Sequence, residues 1–229
     1  MKITWIEHSS FLIELPKHVL VLDYYGKDRL PLPAGKSAVF FASHHHADHY
    51  DKAILEHGTE QIWYVLSRDI YGDQDDHHIK VKPHQRYEFN GMTIETLKSN
   101  DEGVAFIIEA EGWRILHAGD LNDWHWDEEN EQDRHENAVL KQRFDRELER
   151  VKGRTFDLAM IPTDPRLGNG YNLGLLGWAE ACHLGWIAPM HTFGDKAVID
   201  KLLHDPACAA LKNQILDLRF GPIELRDPH

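Results

Sequence analysis

The stretch Ser43-His44-His45-His46-Ala47-Asp48-His49-Tyr50 follows a short apolar run over residues 38–42. Four histidines and an aspartate within six positions offer nothing to a hydrophobic core. If the apolar run is a buried strand, the chain turns where that strand ends, and the side chains of His44, His46, Asp48 and His49 can converge there. Imidazoles and a carboxylate suit a borderline cation such as Zn²⁺, so a metal site explains the cluster better than a solvated loop does.

Outward from this cluster the same pattern recurs. Residues 113–117 run into Ala118-Gly119-Asp120, residues 156–161 into Pro162-Thr163-Asp164-Pro165, and residues 186–190 into His191. Residues 2–6, 10–15 and 19–22 read as three strands, with His8 between the first two and Asp23 closing the third, where it fits a loop-fixing role better than direct ligation. Asn90-Gly91 marks a hairpin, and 92–97 and 104–109 are further strand-like runs. Polar loops are expected over 27–36 and 73–78; in the second, His77 and His78 lack the preceding apolar strand of the other clusters.

Helices are expected at 51–58, which ends on Gly58, at 131–152, with Val139, Phe144, Leu148 and Val151 as an apolar stripe, at 175–184 and at 195–203. Trp178, Cys182 and Trp186, four residues apart, read as a buried helical face. Strand pairing is expected again around 215–218. Strands that end in ligand-type side chains, with helices among them, predict a sheet-based α/β fold with the site on one edge and helices on the outer faces. No internal linker or repeat divides the chain, so residues 1–229 are read as one domain.

The 229 residues suffice to bury a core without staples, and two cysteines, Cys182 and Cys208, exclude a disulfide framework or a cysteine-rich zinc site. No apolar run suits a signal peptide or a membrane span, and a cytoplasmic protein is expected. The net charge of −13 disfavours a nucleic-acid partner, which normally requires a basic face. Trp124, His125 and Trp126 open an acidic segment that reads as a pocket wall, a homo-oligomer contact or a solvated helix entrance.

The order of these motifs resembles the metallo-β-lactamase superfamily. His44-x-His46-x-Asp48-His49 looks like its signature, Leu116-His117-Ala118-Gly119-Asp120 carries its bridging aspartate, and Ala188-Pro189-Met190-His191 its late histidine. Trp5-Ile6-Glu7-His8-Ser9-Ser10-Phe11 and Val21-Leu22-Asp23 are similar to the opening of the branch that includes ascorbate-6-phosphate lactonase-like proteins. The resemblance implies a four-layer αββα sandwich with the metal site at one edge of the two sheets. It also implies one or two Zn²⁺ ions, the first held by His44 and His46, the second by Asp48, His49 and His191, and Asp120 bridging them.

The family's further histidine for the first metal would fall near Leu97-Lys98-Ser99-Asn100-Asp101, where this chain has none. Three outcomes stay open: Asp101 or Ser99 substitutes, the second site alone is firmly held, or His117, His8 or His125 swings in. Oxygen ligands would make Mn²⁺ or Fe²⁺ competitive. The expected activity is metal-dependent hydrolysis of a small-molecule ester, lactone, amide or phosphoester. Asp48 would orient the attacking water, and Trp124, His125 and Arg166 are candidates for the substrate pocket. The alternatives are a metal-dependent nuclease or phosphodiesterase, and a non-enzymatic metal-binding protein with a degenerate first site; a di-iron redox centre is a minor further reading.

Overall fold

Thirteen short runs, most of them rich in β-branched and aromatic residues, form two sheets in the computed structural model, which describes residues 1–26, 28–57, 61–72 and 74–226. Lys27, Gly58 and Asp73, which bound two expected loops and a short helix, lie outside the described residues. The strands are β1 (Lys2–Glu7), β2 (Ser10–Glu14), β3 (His18–Leu22), β4 (Ser37–Ala42), β5 (Ile62–Ser67), β6 (His78–Val81), β7 (Arg86–Phe89), β8 (Met92–Lys98), β9 (Val104–Ala110), β10 (Trp113–His117), β11 (Thr155–Pro162), β12 (His183–Met190) and β13 (Ile223–Glu224). The helices are α1 (Glu131–Val151), α2 (Leu173–Ala181) and α3 (Ala197–His204).

The first sheet runs β13-β1-β2-β3-β4-β5-β6 and the second β12-β11-β10-β9-β8-β7. In each, an antiparallel part meets a parallel part: β3 to β6 are parallel in the first sheet, β10 to β12 in the second. Parallel strands are covered on both faces, and this shows in the sequence as unbroken apolar runs rather than alternation. In β3, Leu20 and Leu22 enter the core between the sheets, while Val19 and Val21 join a second cluster with Phe40, Tyr64 and Ile54 on the outer face. On the far side α1 and α2 cover the second sheet, with Phe144 edge-on to Trp178 and Trp178 edge-on to Phe156. The layers are those of the αββα sandwich.

Two expectations are corrected. The helix expected at 175–184 stops at Ala181, and Cys182 caps it in an extended conformation. The backbone is then captured by β11, since Thr155 pairs with His183 and the His183 N–H donates to Arg154 O at 2.9 Å. Trp178, Cys182 and Trp186 therefore share no helical face; Trp186 lies on β12. The loop expected at 73–78 ends in a short edge strand, where His78 stacks on Tyr64 and His77 on Trp63, away from any other histidine cluster. Ile187 bridges to Ile215, the pairing expected near the C-terminal segment. None of the described helices is long and apolar enough to cross a membrane.

Candidate metal centre

The carboxyl ends of β3, β4, β10, β11 and β12 open on one edge of the sandwich, joined there by the β1–β2 turn. Each delivers a polar side chain at the point where its strand stops: Asp23, the 43–49 turn, Asp120, Asp164, His191 and His8. Asp23 is the buried anchor of this edge. Its Oδ1 accepts the Ser43 N–H at 2.7 Å, and its Oδ2 accepts both the Ser43 hydroxyl at 2.6 Å and His49 Nδ1 at 2.7 Å. Ser43 Oγ, having given its proton to Asp23, accepts from His44 Nδ1 at 3.0 Å. One carboxylate thus fixes two imidazoles with Nε2 facing inward, as outer carboxylates do for metal-bound histidines. His191 is held likewise, with Nδ1 3.2 Å from Asp164 Oδ2.

The inward atoms form two groups, each within 4.8 Å: His44, His46 and Asp120 in one, His8, Asp48, His49 and His191 in the other. Asp120 lies between them. Its Oδ1 is 3.2 Å from His49 Nε2 and 3.3 Å from His191 Nε2, and its Oδ2 is 3.4 Å from His44 Nε2. Burial alone would push the Asp120 carboxyl up, but His49, His191 and His44 hold it far below the carboxylate range. Burial, helped by His49, pushes His44 down to about 4. Against its own burial, the Asp120 and Asp164 carboxylates on either side raise His191 to about 9.

Asp120 Oδ1 and the Nε2 atoms of His49 and His8 are buried without a hydrogen-bond partner. Such groups are costly unless something charged satisfies them. An anionic oxygen amid converging imidazole lone pairs is a donor set that fits divalent cations.

The remaining candidates are sorted by their contacts. Asp101 lines the same pocket as His46 and Asp120, and burial, with Asp120's charge, raises its carboxyl, but it belongs to neither group of converging atoms. Ser99 accepts the Asp101 N–H at 3.1 Å and lines a separate hollow with Arg143 and Glu147. Asn100 braces the next loop, donating to Asn122 O at 2.7 Å and to Leu140 O at 3.1 Å. His117 has both nitrogens engaged, with Ser9 O and the Gly119 N–H. His125 is exposed and faces Glu128 at 3.8 Å, outside the pocket. His45 pairs with Asp69 on the surface.

The pocket over the site has a volume of about 250 Å³. Trp124 is buried in its wall, donating from Nε1 to Asp120 O at 2.9 Å, and Trp126 stacks on it. The Arg166 guanidinium sits 3.7 Å from the Phe193 ring centroid and is tied by Nε and Nη2 to Asp164. Sequence reading named neither Asp164 nor Phe193 as a site residue. Asp164 carried the signal, a carboxylate directly after an apolar strand; Phe193 carried none. Two larger hollows, under residues 29–36 and beside Glu109 and Arg114, hold no such cluster.

Gly103 sets the floor. At φ +67° it packs on the histidine turn, where an added Cβ would lie 2.0 Å from Ser43 O and 2.6 Å from His44 Cβ. Gly103→Ala is expected to destabilise the fold by about 3 kcal/mol, the sum of a backbone clash and a left-handed alanine, read as a lowered urea midpoint with unchanged m.

A family model described as a β-lactamase superfamily domain matches residues 2–141. Among solved structures, a metallo hydrolase from the hyperthermophilic archaeon Ignicoccus hospitalis is similar at 15% identity and a TM-score of 0.61, covering 98% of this chain and 99% of that one. The metallo-β-lactamase fold protein YhfI from Bacillus subtilis is similar at 15% identity and a TM-score of 0.54, covering 93% and 94%. The isothiocyanate hydrolase from Delia radicum gut bacteria is similar at 13% identity and a TM-score of 0.53, covering 98% and 99%. At such identities these likenesses speak to the fold. No curated protein matches the chain. With well over half its length matched by the family model, and with the sandwich and its edge cluster in place, the chain belongs to the β-lactamase superfamily.

Proposed function

We propose that the protein is a metal-dependent hydrolase of a small-molecule ester, lactone or phosphoester, with residues 1–229 acting as one domain. The observation that carries this reading is the pair of buried, partnerless atoms Asp120 Oδ1 and His49 Nε2 at one centre, with His49 fixed from outside by Asp23 and His191 by Asp164. His44 and His46 would hold one ion, Asp48, His49 and His191 the other, and Asp120 both. A bound ion lowers the pKa of water from about 15.7 towards about 7 and polarises a substrate oxygen. Imidazole-rich donors favour Zn²⁺, while Asp101 at the first site would admit Mn²⁺ or Fe²⁺.

The side chains supply the rest. Asp48, 39% exposed at the pocket floor, is placed to orient water and hold its proton, its carboxyl kept low chiefly by His8. Trp126 and Phe193, both partly exposed, offer apolar walls to the substrate body. Arg166 keeps Nη1 free of Asp164, a donor for a carboxylate or phosphate, which is compatible with the lactonase-like resemblance. A pocket of about 250 Å³ on a chain of net charge −13 suits a small molecule better than a nucleic-acid strand.

Chelation should lower turnover of esters, lactones, phosphodiesters or isothiocyanates to the solution background, and added Zn²⁺ should restore it. Absence of metal-dependent turnover across that panel would refute the reading.

A further inference from the structure

Asp101 is a wall common to two hollows. One is the metal pocket; the other, of about 280 Å³, opens between the end of β8 and the middle of α1, where Lys98, Ser99, Arg143, Arg146 and Glu147 line it.

Acidic residues outnumber basic ones in this chain by 38 to 25, so a cation readily meets a carboxylate. Along α1 and at its end several do: Lys141 pairs with Asp145, Arg150 with Glu147 and Lys152 with Glu149. The side chains of Lys98, Arg143 and Arg146 are different. Among the described residues they make no ion pair, hydrogen bond or ring contact, yet all three line this one hollow.

Arg143 and Arg146 stand three residues apart on one side of the helix. Glu147, four residues after Arg143, is the carboxylate the helix would offer, but it is already engaged. His84 Nε2 lies 2.9 Å from both its oxygens, the Lys98 N–H donates to Oε2 at 3.1 Å, and Arg150 Nε is 3.6 Å from Oε1. The remaining acid of the lining, Asp101, also faces the metal pocket.

Ser99 adds a buried donor. It is 2% exposed, its Oγ accepts the Asp101 N–H at 3.1 Å, and its own proton has no acceptor among the described residues. The loop that carries it is fixed: the Ser99 N–H donates to Gly103 O at 3.2 Å, and the Asn100 side chain donates to Asn122 O and Leu140 O while accepting the Asn122 N–H. Three like charges and a spare hydroxyl, held around one hollow without a counter-ion, are a donor set without its acceptor.

We propose that this hollow binds an oxyanion of the phosphate type, with Arg143 and Arg146 as forked donors, Lys98 as a point charge and the Ser99 hydroxyl as the buried donor. A phosphate group presents three strong acceptor oxygens, which serves several converging donors better than the two of a carboxylate. The site needs no metal ion and does not depend on the hydrolase reading. Two sources share this chemistry: a free phosphate, or a remote phosphate on a substrate whose reacting bond lies across Asp101 in the metal pocket.

The test is calorimetric titration of the full-length protein with inorganic phosphate at constant ionic strength, with chloride as the balancing and control anion. The wild type is expected to bind phosphate at a site that Arg143→Gln/Arg146→Gln weakens at least about tenfold and that Arg166→Gln leaves unchanged. Glutamine is a good helix former and both positions are exposed, so the double variant should keep its fold, checked by its melting temperature. Arg146→Lys, which keeps the charge and loses the fork, should fall between the two.

Phosphate binding that survives in the double variant, that is lost only in Arg166→Gln, or that chloride reproduces would overturn the site. KM values then separate the sources. A rise in the double variant confined to a phosphorylated ester assigns the hollow to the substrate, and unchanged KM values for phosphorylated and unphosphorylated esters assign it to a free anion. Failure to hydrolyse either ester would count against the hydrolase reading and leave the calorimetric result to decide this site.

Discussion

Asp120→Ala is expected to lower kcat/KM by about 10³-fold and to strip the protein of zinc, measured as metal equivalents per chain after gel filtration. The size follows from charge. Asp120 is the buried anion that faces three imidazoles within 3.4 Å and reaches both groups of ligand atoms. Deleting one partner of a buried, compensated charge set costs about 3–5 kcal/mol, and each 1.36 kcal/mol or so is tenfold in rate. Asp120→Asn keeps the shape and removes the charge, so it should fail almost as badly. A variant that kept its zinc and came within tenfold of the wild-type rate would show that Asp120 does not join the two sites.

Asp23→Ala should produce the largest loss of stability, about 3–5 kcal/mol, or a melting temperature lower by about 10 °C for a chain of this size. Asp23 touches no inward atom of the centre. Yet its carboxylate is fully buried and accepts the Ser43 N–H, the Ser43 hydroxyl and His49 Nδ1. Its loss leaves these donors unmatched and frees His44 and His49 to turn, so zinc affinity should fall by about 10–100-fold in a competition titration. Equal thermal stability in the variant would mean that this edge is held by something other than Asp23.

Much of this site could be read from the chain because its chemistry is local in sequence. Each candidate ligand is polar and stands where a buried strand stops, so it shows as an abrupt change from apolar run to imidazole or carboxylate. His44 to His49, Asp120 and His191 all show that change, and Asp164 shows it too. What the chain does not display is which strand ends meet. Asp164 reaches His191 only because β11 and β12 are parallel neighbours in register, Pro162 beside Met190.

The Phe193 backbone N–H that donates to His8 Nδ1 makes a contact with no side-chain signature at all. The end of α2 was hidden for a different reason: Leu175 to Leu184 is apolar throughout, and such a run suits a buried helix and a buried strand equally until β11 claims part of it. Near Ser99 the sequence correctly lacked a histidine. It did not reveal that Asn100 uses that position to brace the loop carrying Asp120 and Asn122.

Asp164 is shared between two masters. Its Oδ2 accepts from Arg166 Nε and Nη2 and from His191 Nδ1. A substrate anion that draws Arg166 away leaves that oxygen more fully to His191, and His191 becomes a stronger donor through its other nitrogen. Coupling free energies between two bound species are reciprocal, so on the proposed function an ion in the centre would tighten the hold on that anion by the same factor. One carboxylate oxygen held by both Arg166 and His191 would thus make substrate occupancy and ion occupancy a linked equilibrium across the width of a single side chain.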